Sequence, residues 1–222
     1  ISDKRREGIL NGTIPSTDFQ DELLKNYSLL TQHNLNIRGG SDAVKYFVSA
    51  GYMNQGSHYK TGDYPFKRFN TRSNLDIMIS ENLSASLDLG FRRTTADVNP
   101  YGGWGAFNLM QLTWPVYPIY NSDGSLSVSY AASQHSGTAQ TSEEIAGLDR
   151  TITDVFDGSM ALKYKIKSIP GMTVEGKMAL LSSNAFNKDF YKKFDLFIEN
   201  DGVITKASTN NANGPTLREQ TT

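Results

Sequence analysis

Cysteine is absent from the 222 residues, which removes disulfides, thiolate catalysis and Cys-ligated zinc together. Charge of one sign is also missing: 22 basic residues face 23 acidic ones, a net charge of -1. No basic surplus supports electrostatic nucleic-acid binding, so a nucleic-acid partner is not expected. No run approaches the ~18 consecutive apolar residues of a membrane-spanning helix. That lack does not touch β-barrels, whose strands alternate and keep mean hydropathy low. Histidine is scarce, and His33, His58 and His135 stand far apart in no metal-ligand spacing. The glycine-rich stretch 102–105 lacks the Lys-Ser/Thr of a phosphate loop, and neither Asp123 nor Asp201 heads a calcium loop. No catalytic residue, metal site or cofactor is therefore expected, and nothing points to an enzyme.

What is present is alternation. Phe69, Leu75, Ile77 and Ile79 stand on odd numbers, and so do Leu83, Ala85, Leu87, Leu89 and Phe91 beyond a turn at Ser80 to Asn82. A three-residue turn pairs 79 with 83, 77 with 85 and 75 with 87, giving one apolar face. The even positions gather Arg68, Asn70, Arg72, Asn74, Asp76, Asp88 and Arg92 on the other face, with Arg72 near Gly90 and Asn70 near Arg92. Two further hairpins follow the same rule. A two-residue turn at Gly40 and Ser41 pairs Ile37 with Val44 and Leu35 with Tyr46, and it puts His33 on the apolar face near Val48. A turn at Ser168 to Gly171 pairs Ile166 with Val174, Leu162 with Met178 and Met160 with Leu180. About six strands result, each long enough to cross a bilayer at a tilt.

The connections are unequal. Three are tight turns, whereas 54–65, 96–150 and the region after 185 are long. Short turns at one rim and long loops at the other favour an outer-membrane barrel over a soluble sandwich. The sandwich reading, a carbohydrate-binding module using Trp104 and Trp114, stays open on pattern alone, as does a small complete structural barrel. The long loop 99–120 concentrates Tyr101, Trp104, Trp114, Tyr117 and Tyr120 among glycines and prolines. Such aromatics stack on sugar rings, anchor a partner protein, or pack the loop onto the barrel rim. The first residue is not Met and the end is polar, so the chain reads as a stretch cut from a longer polypeptide.

Several stretches resemble a known family in order and spacing. They are "TIPSTDFQDELLK" (13–25), "HNLNIRGGSDAVKYFVSAGYMNQG" (33–56), "FKRFNTRSNLDIMISENLSASLDLG" (66–90) and "PVYPIYNSDGSLS" (115–127). Together they are similar to the early barrel of SusC/RagA-type TonB-linked outer-membrane proteins, with Phe19 where the family usually has Trp. The resemblance implies an all-β, antiparallel up-and-down transmembrane β-barrel segment, one part of a large plugged barrel. Short periplasmic turns and long extracellular loops are implied with it. It further implies import of glycans or peptides across the bacterial outer membrane, with a SusD-like surface lipoprotein and TonB as partners and the bilayer as surroundings. On that reading the chain, 1–222, is a partial barrel domain whose plug and remaining strands lie elsewhere. Arg68, Arg72, Asp76, Asp88 and Arg92 would face the lumen. Tyr101, Trp104, Trp114, Tyr117 and Tyr120 would serve ligand or partner.

Overall fold

The structure, a computed structural model, describes residues 3–128, 136–210 and 216–221. Two short helices, α1 (Asp3–Leu10) and α2 (Phe19–Leu23), lead into four long strands, β1 (Leu30–Gly40), β2 (Val44–Gln55), β3 (Phe66–Met78) and β4 (Leu83–Val98). Helices α3 (Gly103–Leu112), α4 (Gly137–Gln140) and α5 (Glu143–Ala146) follow, then β5 (Gly147–Lys165) and β6 (Thr173–Tyr191). A hairpin, β7 (Asp195–Asn200) and β8 (Val203–Thr209), precedes β9 (Thr216–Thr221). Seven strands form one sheet in the order β1-β2-β3-β4-β5-β6-β9, each antiparallel to its neighbour. His135 and residues 211–215 fall outside the described residues.

The middle hairpin has the register that alternation dictates: Ile77 lies opposite Ala85, Leu75 opposite Leu87 and Arg72 opposite Gly90. Its turn closes with Ile79 N–H donating to Leu83 O at 2.9 Å, and Ser80 Oγ accepts from Asn82 and Leu83 N–H. The other two hairpins slip from their expected registers by whole pleats. Ile37 pairs with Val48, not Val44; Leu35 pairs with Ala50, not Tyr46; His33 faces Tyr52, not Val48. The cause is the turn: Gly40 already pairs with Lys45, and the connection between them closes with Ser41 N–H on Val44 O at 2.7 Å. At the third hairpin Tyr164, Leu162 and Met160 pair with Val174, Gly176 and Met178. There, consecutive turns around Pro170 join Ile166 to Met172 and widen the loop. Both slips are even in number, so every side chain keeps its face; an odd slip would have inverted the strand.

The strands also outrun the expected loop boundaries. β4 continues to Val98, β5 begins at Gly147 and β6 persists to Tyr191. Ladder pairing needs no apolar side chains, and the extra length is held by pairs such as Asp97 with Arg150 and Thr151 with Asn187. The stretch 96–150 is not one irregular loop, because α3, α4 and α5 lie within it.

Among the described residues nothing covers the apolar face of the sheet. Leu35, Ile37, Phe69, Met178 and Leu180 all lie between 42% and 68% exposed. Aromatic rings border this bare band: Tyr52, Phe69, Phe91 and Phe156 step across β2 to β5, and Tyr46 and Tyr164 stand nearer the turns. One pleat beyond Phe91 and Phe156, the same face turns polar with Arg93 and Asp154, joined at 2.7 and 2.6 Å. A bare apolar band between aromatic rows, ending in an exposed ion pair, is the surface a bilayer covers.

Buried cores occur instead at the long-connection end. One gathers Val128, Ala139, Ala146, Phe194 and Leu196; a second gathers Phe19, Leu23, Ala106 and Met110. Asp18 explains the second locally: its Oδ1 accepts from Gln20 and Asp21 N–H at 3.0 and 3.1 Å, starting α2 so that Phe19 and Leu23 point into the core. The Asp201-Gly202 step reads as a turn in the sequence and is one, with φ of 49° and 78°, the signature of a tight two-residue hairpin between β7 and β8.

Candidate functional site

The even positions of β3 and β4 form the polar face, where Arg68, Arg72, Asp76, Asp88 and Arg92 all stand. Among the described residues these five form no ion pair with one another. Their neighbours are polar: Asp88 accepts from Asn74 and, at 3.2 Å, from Ser159 Oγ. Arg68 reaches Met53 Sδ at 3.8 Å. Gly90 lies between Arg72 on one neighbouring strand and Asp157 on the other. A Cβ at Gly90 would stand 2.8 Å from the carboxyl carbon of Asp157, so the missing side chain is what lets that carboxylate lie across the strand. Near the turns, a cavity of about 390 Å³ carries Lys45, Asp76, Lys163 and Glu175 on this face.

At the opposite end the long connections lock into a cap. Thr61 Oγ1 donates to Thr141 O at 2.6 Å, Glu143 N–H to Asp63 Oδ2 at 2.9 Å, and Asn99 Nδ2 to Gln140 O at 2.7 Å. Ser122 gives both N–H and Oγ–H to Glu199 at 2.8 Å. Tyr64 donates to Gly147 O at 3.0 Å. Burial first, then the carboxylates of Asp63 and Glu143, push its phenol well above the ordinary range, so it remains a donor. Gly147 takes a φ of 98°, and a Cβ there would collide with Phe190 O, so no other residue fits. Where the sheet meets the cap, Asp97 of β4 and Arg150 of β5 lie opposite each other, with Arg150 forked onto the carboxylate at 2.7 and 2.8 Å.

The five aromatics divide. Tyr101 donates to Lys192 O at 3.0 Å, accepts from Asn210 Nδ2, and meets Tyr191 and Phe194 edge-on at 5.5 and 6.1 Å. Burial raises its pKa too. Tyr117 packs against both cores and carries Trp114 stacked on it at 6.5 Å. Trp114 and Tyr120 stay about half exposed, at 52% and 51%. Trp104 lies on α3, and its side chain falls outside the described atoms.

Among the cavities that open on the cap, two draw on distant segments that no single stretch of sequence announces. One, of about 650 Å³, is bordered by Pro15, Tyr117, Tyr120, Asn121, Glu199 and Asp201. The other, of about 600 Å³, is walled by Leu24, Tyr59, Tyr64, Phe66, Val98 and Phe107. It sits where the ends of β2, β3 and β4 meet the cap.

An antiparallel up-and-down sheet with one bare apolar face, one polar face, tight turns at one rim and a folded cap at the other is a segment of transmembrane β-barrel wall. No family model matches the chain. Over 113 residues, 51% of the chain, it is 34% identical to TonB-dependent receptor P26 of Formosa agariphila. Over 120 residues it is 29% identical to TonB-dependent receptor P3 of the same organism. The chain spans only 11% and 12% of the length of these relatives. Its fold is similar to the RagAB peptide importer in the closed-closed state, with TM-score 0.61, 20% identity, and coverage of 79% of this chain and 20% of that one. The open-open state gives 0.62, 19%, 81% and 20%. In sequence the chain is therefore similar to TonB-dependent receptors over half of its length, and in fold it is similar to a segment of the RagAB importer.

Proposed function

We propose that this segment forms one arc of the wall and part of the extracellular mouth of a TonB-dependent transporter in a bacterial outer membrane. The transporter imports glycans or peptides, is energised by TonB, and works with a SusD-like surface lipoprotein. Arg68, Arg72, Asp76, Asp88 and Arg92 line the lumen, where unpaired arginines and carboxylates hydrogen-bond the plug. Trp114 and Tyr120 are the exposed cap aromatics offered to ligand or partner, while Tyr101 and Tyr117 brace the cap. The observation that carries this reading is the separation of faces: the band from Tyr52 and Phe69 to Tyr46 and Tyr164 is bare and apolar, and the opposite face is charged.

The test is to recover the native protein from membranes and follow uptake. We expect it in the outer-membrane fraction, with a mass in detergent several times 24.6 kDa. Uptake of a labelled peptide or oligosaccharide is expected to stop when TonB is deleted. A detergent-free soluble species near 24.6 kDa would overturn the reading.

A further inference from the structure

The cavity at the junction of wall and cap is closed by polar groups that are already used and opened by polar groups that are not. Asp97 is forked by Arg150, Asn99 is engaged by Gln140 and Tyr101, and Tyr64 by Gly147. Ser57 Oγ accepts from Tyr59 N–H at 3.0 Å. Beside the exposed Gln55, what these groups leave to the cavity is apolar surface from Leu24, Phe66 and Val98 with the rings of Tyr59 and Tyr64, set edge-on at 6.0 Å. At the edge, Leu24 bridges Tyr59 antiparallel, and Lys25 N–H donates to His58 O at 2.7 Å. That bridge sets Lys25 and His58 side by side on the lining. Among the described residues neither side chain has a partner, and both are exposed. An ammonium donates always, and an imidazole can donate in either charge state. Among the described residues the one carboxylate on the lining, Asp97, is paired with its arginine.

We infer that this cavity is a subsite for the C-terminal residue of a peptide, with an apolar side chain in the aromatic-walled hollow and the terminal carboxylate on Lys25 and His58. The inference rests on the transporter reading and narrows its substrate class from glycans or peptides to peptides. The chemistry decides between them. A hollow of about 600 Å³ with an apolar wall and donors at one edge suits a ligand with an apolar body and an anionic head. The last residue of a peptide supplies both, whereas a neutral glycan has no anionic head for Lys25 and His58.

The test uses the full-length protein purified from outer membranes in detergent. Calorimetry compares an acetylated Gly-Gly-Phe free acid, the same peptide as its C-terminal amide, decanoate, and a neutral hexasaccharide. The free acid is expected to bind about ten-fold or more tightly than the amide, the ratio that a charge-assisted hydrogen bond gives. Val98→Trp fills the hollow from a side chain already 43% exposed and is expected to abolish binding. Lys25→Gln, at an exposed position that leaves the backbone bridge intact, is expected to erase the preference for acid over amide. That second variant decides the matter if Val98→Trp does not assemble. Equal binding of acid and amide, an unaltered preference in Lys25→Gln, decanoate binding as tightly as the peptide, or binding of the hexasaccharide alone would each overturn the subsite. So would a structure of the full-length protein with another chain segment in the hollow. TonB-dependent uptake that persists unchanged in Val98→Trp sinks this inference alone, whereas absence from the outer membrane sinks the transporter reading first.

Discussion

Leu87 lies on the apolar face at the middle of the band, opposite Leu75 on one side and Met160 on the other. Six residues separate it from Arg93, where that face first turns polar. Six steps of ~3.3 Å make about 20 Å along the strand. At a tilt of ~40° this is about 15 Å of depth, half of a hydrocarbon core ~30 Å thick. Leu87→Arg therefore sets a cation at the midplane, where the expected cost is about 2–4 kcal/mol. Ile79→Arg, at the turn rim, is expected to cost at most about 1 kcal/mol. Ser86→Arg lies next to Leu87 in sequence and at the same depth but on the polar face, and it is expected to show no such penalty. The assay is equilibrium unfolding of the full-length protein in lipid vesicles with a denaturant series. Equal costs for Leu87→Arg and Ser86→Arg, or a larger cost at Ile79 than at Leu87, would refute both the facing of the sheet and its depth.

Asp97→Asn removes the charge from the carboxylate that ties β4 to β5 at the foot of the cap; because Arg150 is partly exposed, the discounted cost is about 1–2 kcal/mol. Limited proteolysis within 99–146 should then quicken by about ten-fold, with the strands still protected, and an unchanged rate would refute that role. Gly147→Ala must place a Cβ against Phe190 O in a left-handed backbone, so the cap should loosen from β6 in hydrogen exchange. The hydrogen bonds from Lys206 and Thr209 hold the Asp195 carboxyl below its ordinary range. A lowered folded pKa contributes stability above the unfolded value, lost as pH falls through the folded one. The β7 and β8 hairpin should thus lose protection only below about pH 4, and Asp195→Asn should remove that pH dependence.

The faces of the strands were legible because a period of two leaves no freedom: Phe69 to Phe91 commit every side chain to one side. Register was legible only where the turn was. Ser80 to Asn82 closes as its length demands, but Gly40 and Pro170 each sit in a turn wider than the shortest that the sequence allows. Alternation cannot detect a slip of two or four residues, since apolar still meets apolar. The cap was illegible for a different reason. Its cores join Phe19 to Met110 and Val128 to Leu196, pairs separated by long stretches with no shared period. Glycine, proline and aromatics in 99–120 announced a loop, whereas Gly103–Leu112 is the helix α3. The cavity's lining comes from four such segments, so its chemistry appears only once they are folded together.

The two ends of the segment solve opposite problems, and this explains why the core is not where the strands are. A strand in a bilayer needs no protein on its outer side, because lipid removes that face from water, and its inner side must stay polar for whatever fills the barrel. Hence Leu35, Met178 and Leu180 are exposed, and Arg72 and Arg92 form no ion pair among the described residues. Beyond Arg93 and Asp154 the lipid is gone, and apolar residues must find each other. Phe19, Met110, Val128 and Leu196 do so by bringing the long connections together. A cap with its own cores and hydrogen bonds, from Thr61 to Thr141 and from Ser122 to Glu199, holds the cavity walls in place without help from the membrane. The shape of the mouth is therefore set by loop packing, while the strands below fix only where that mouth stands.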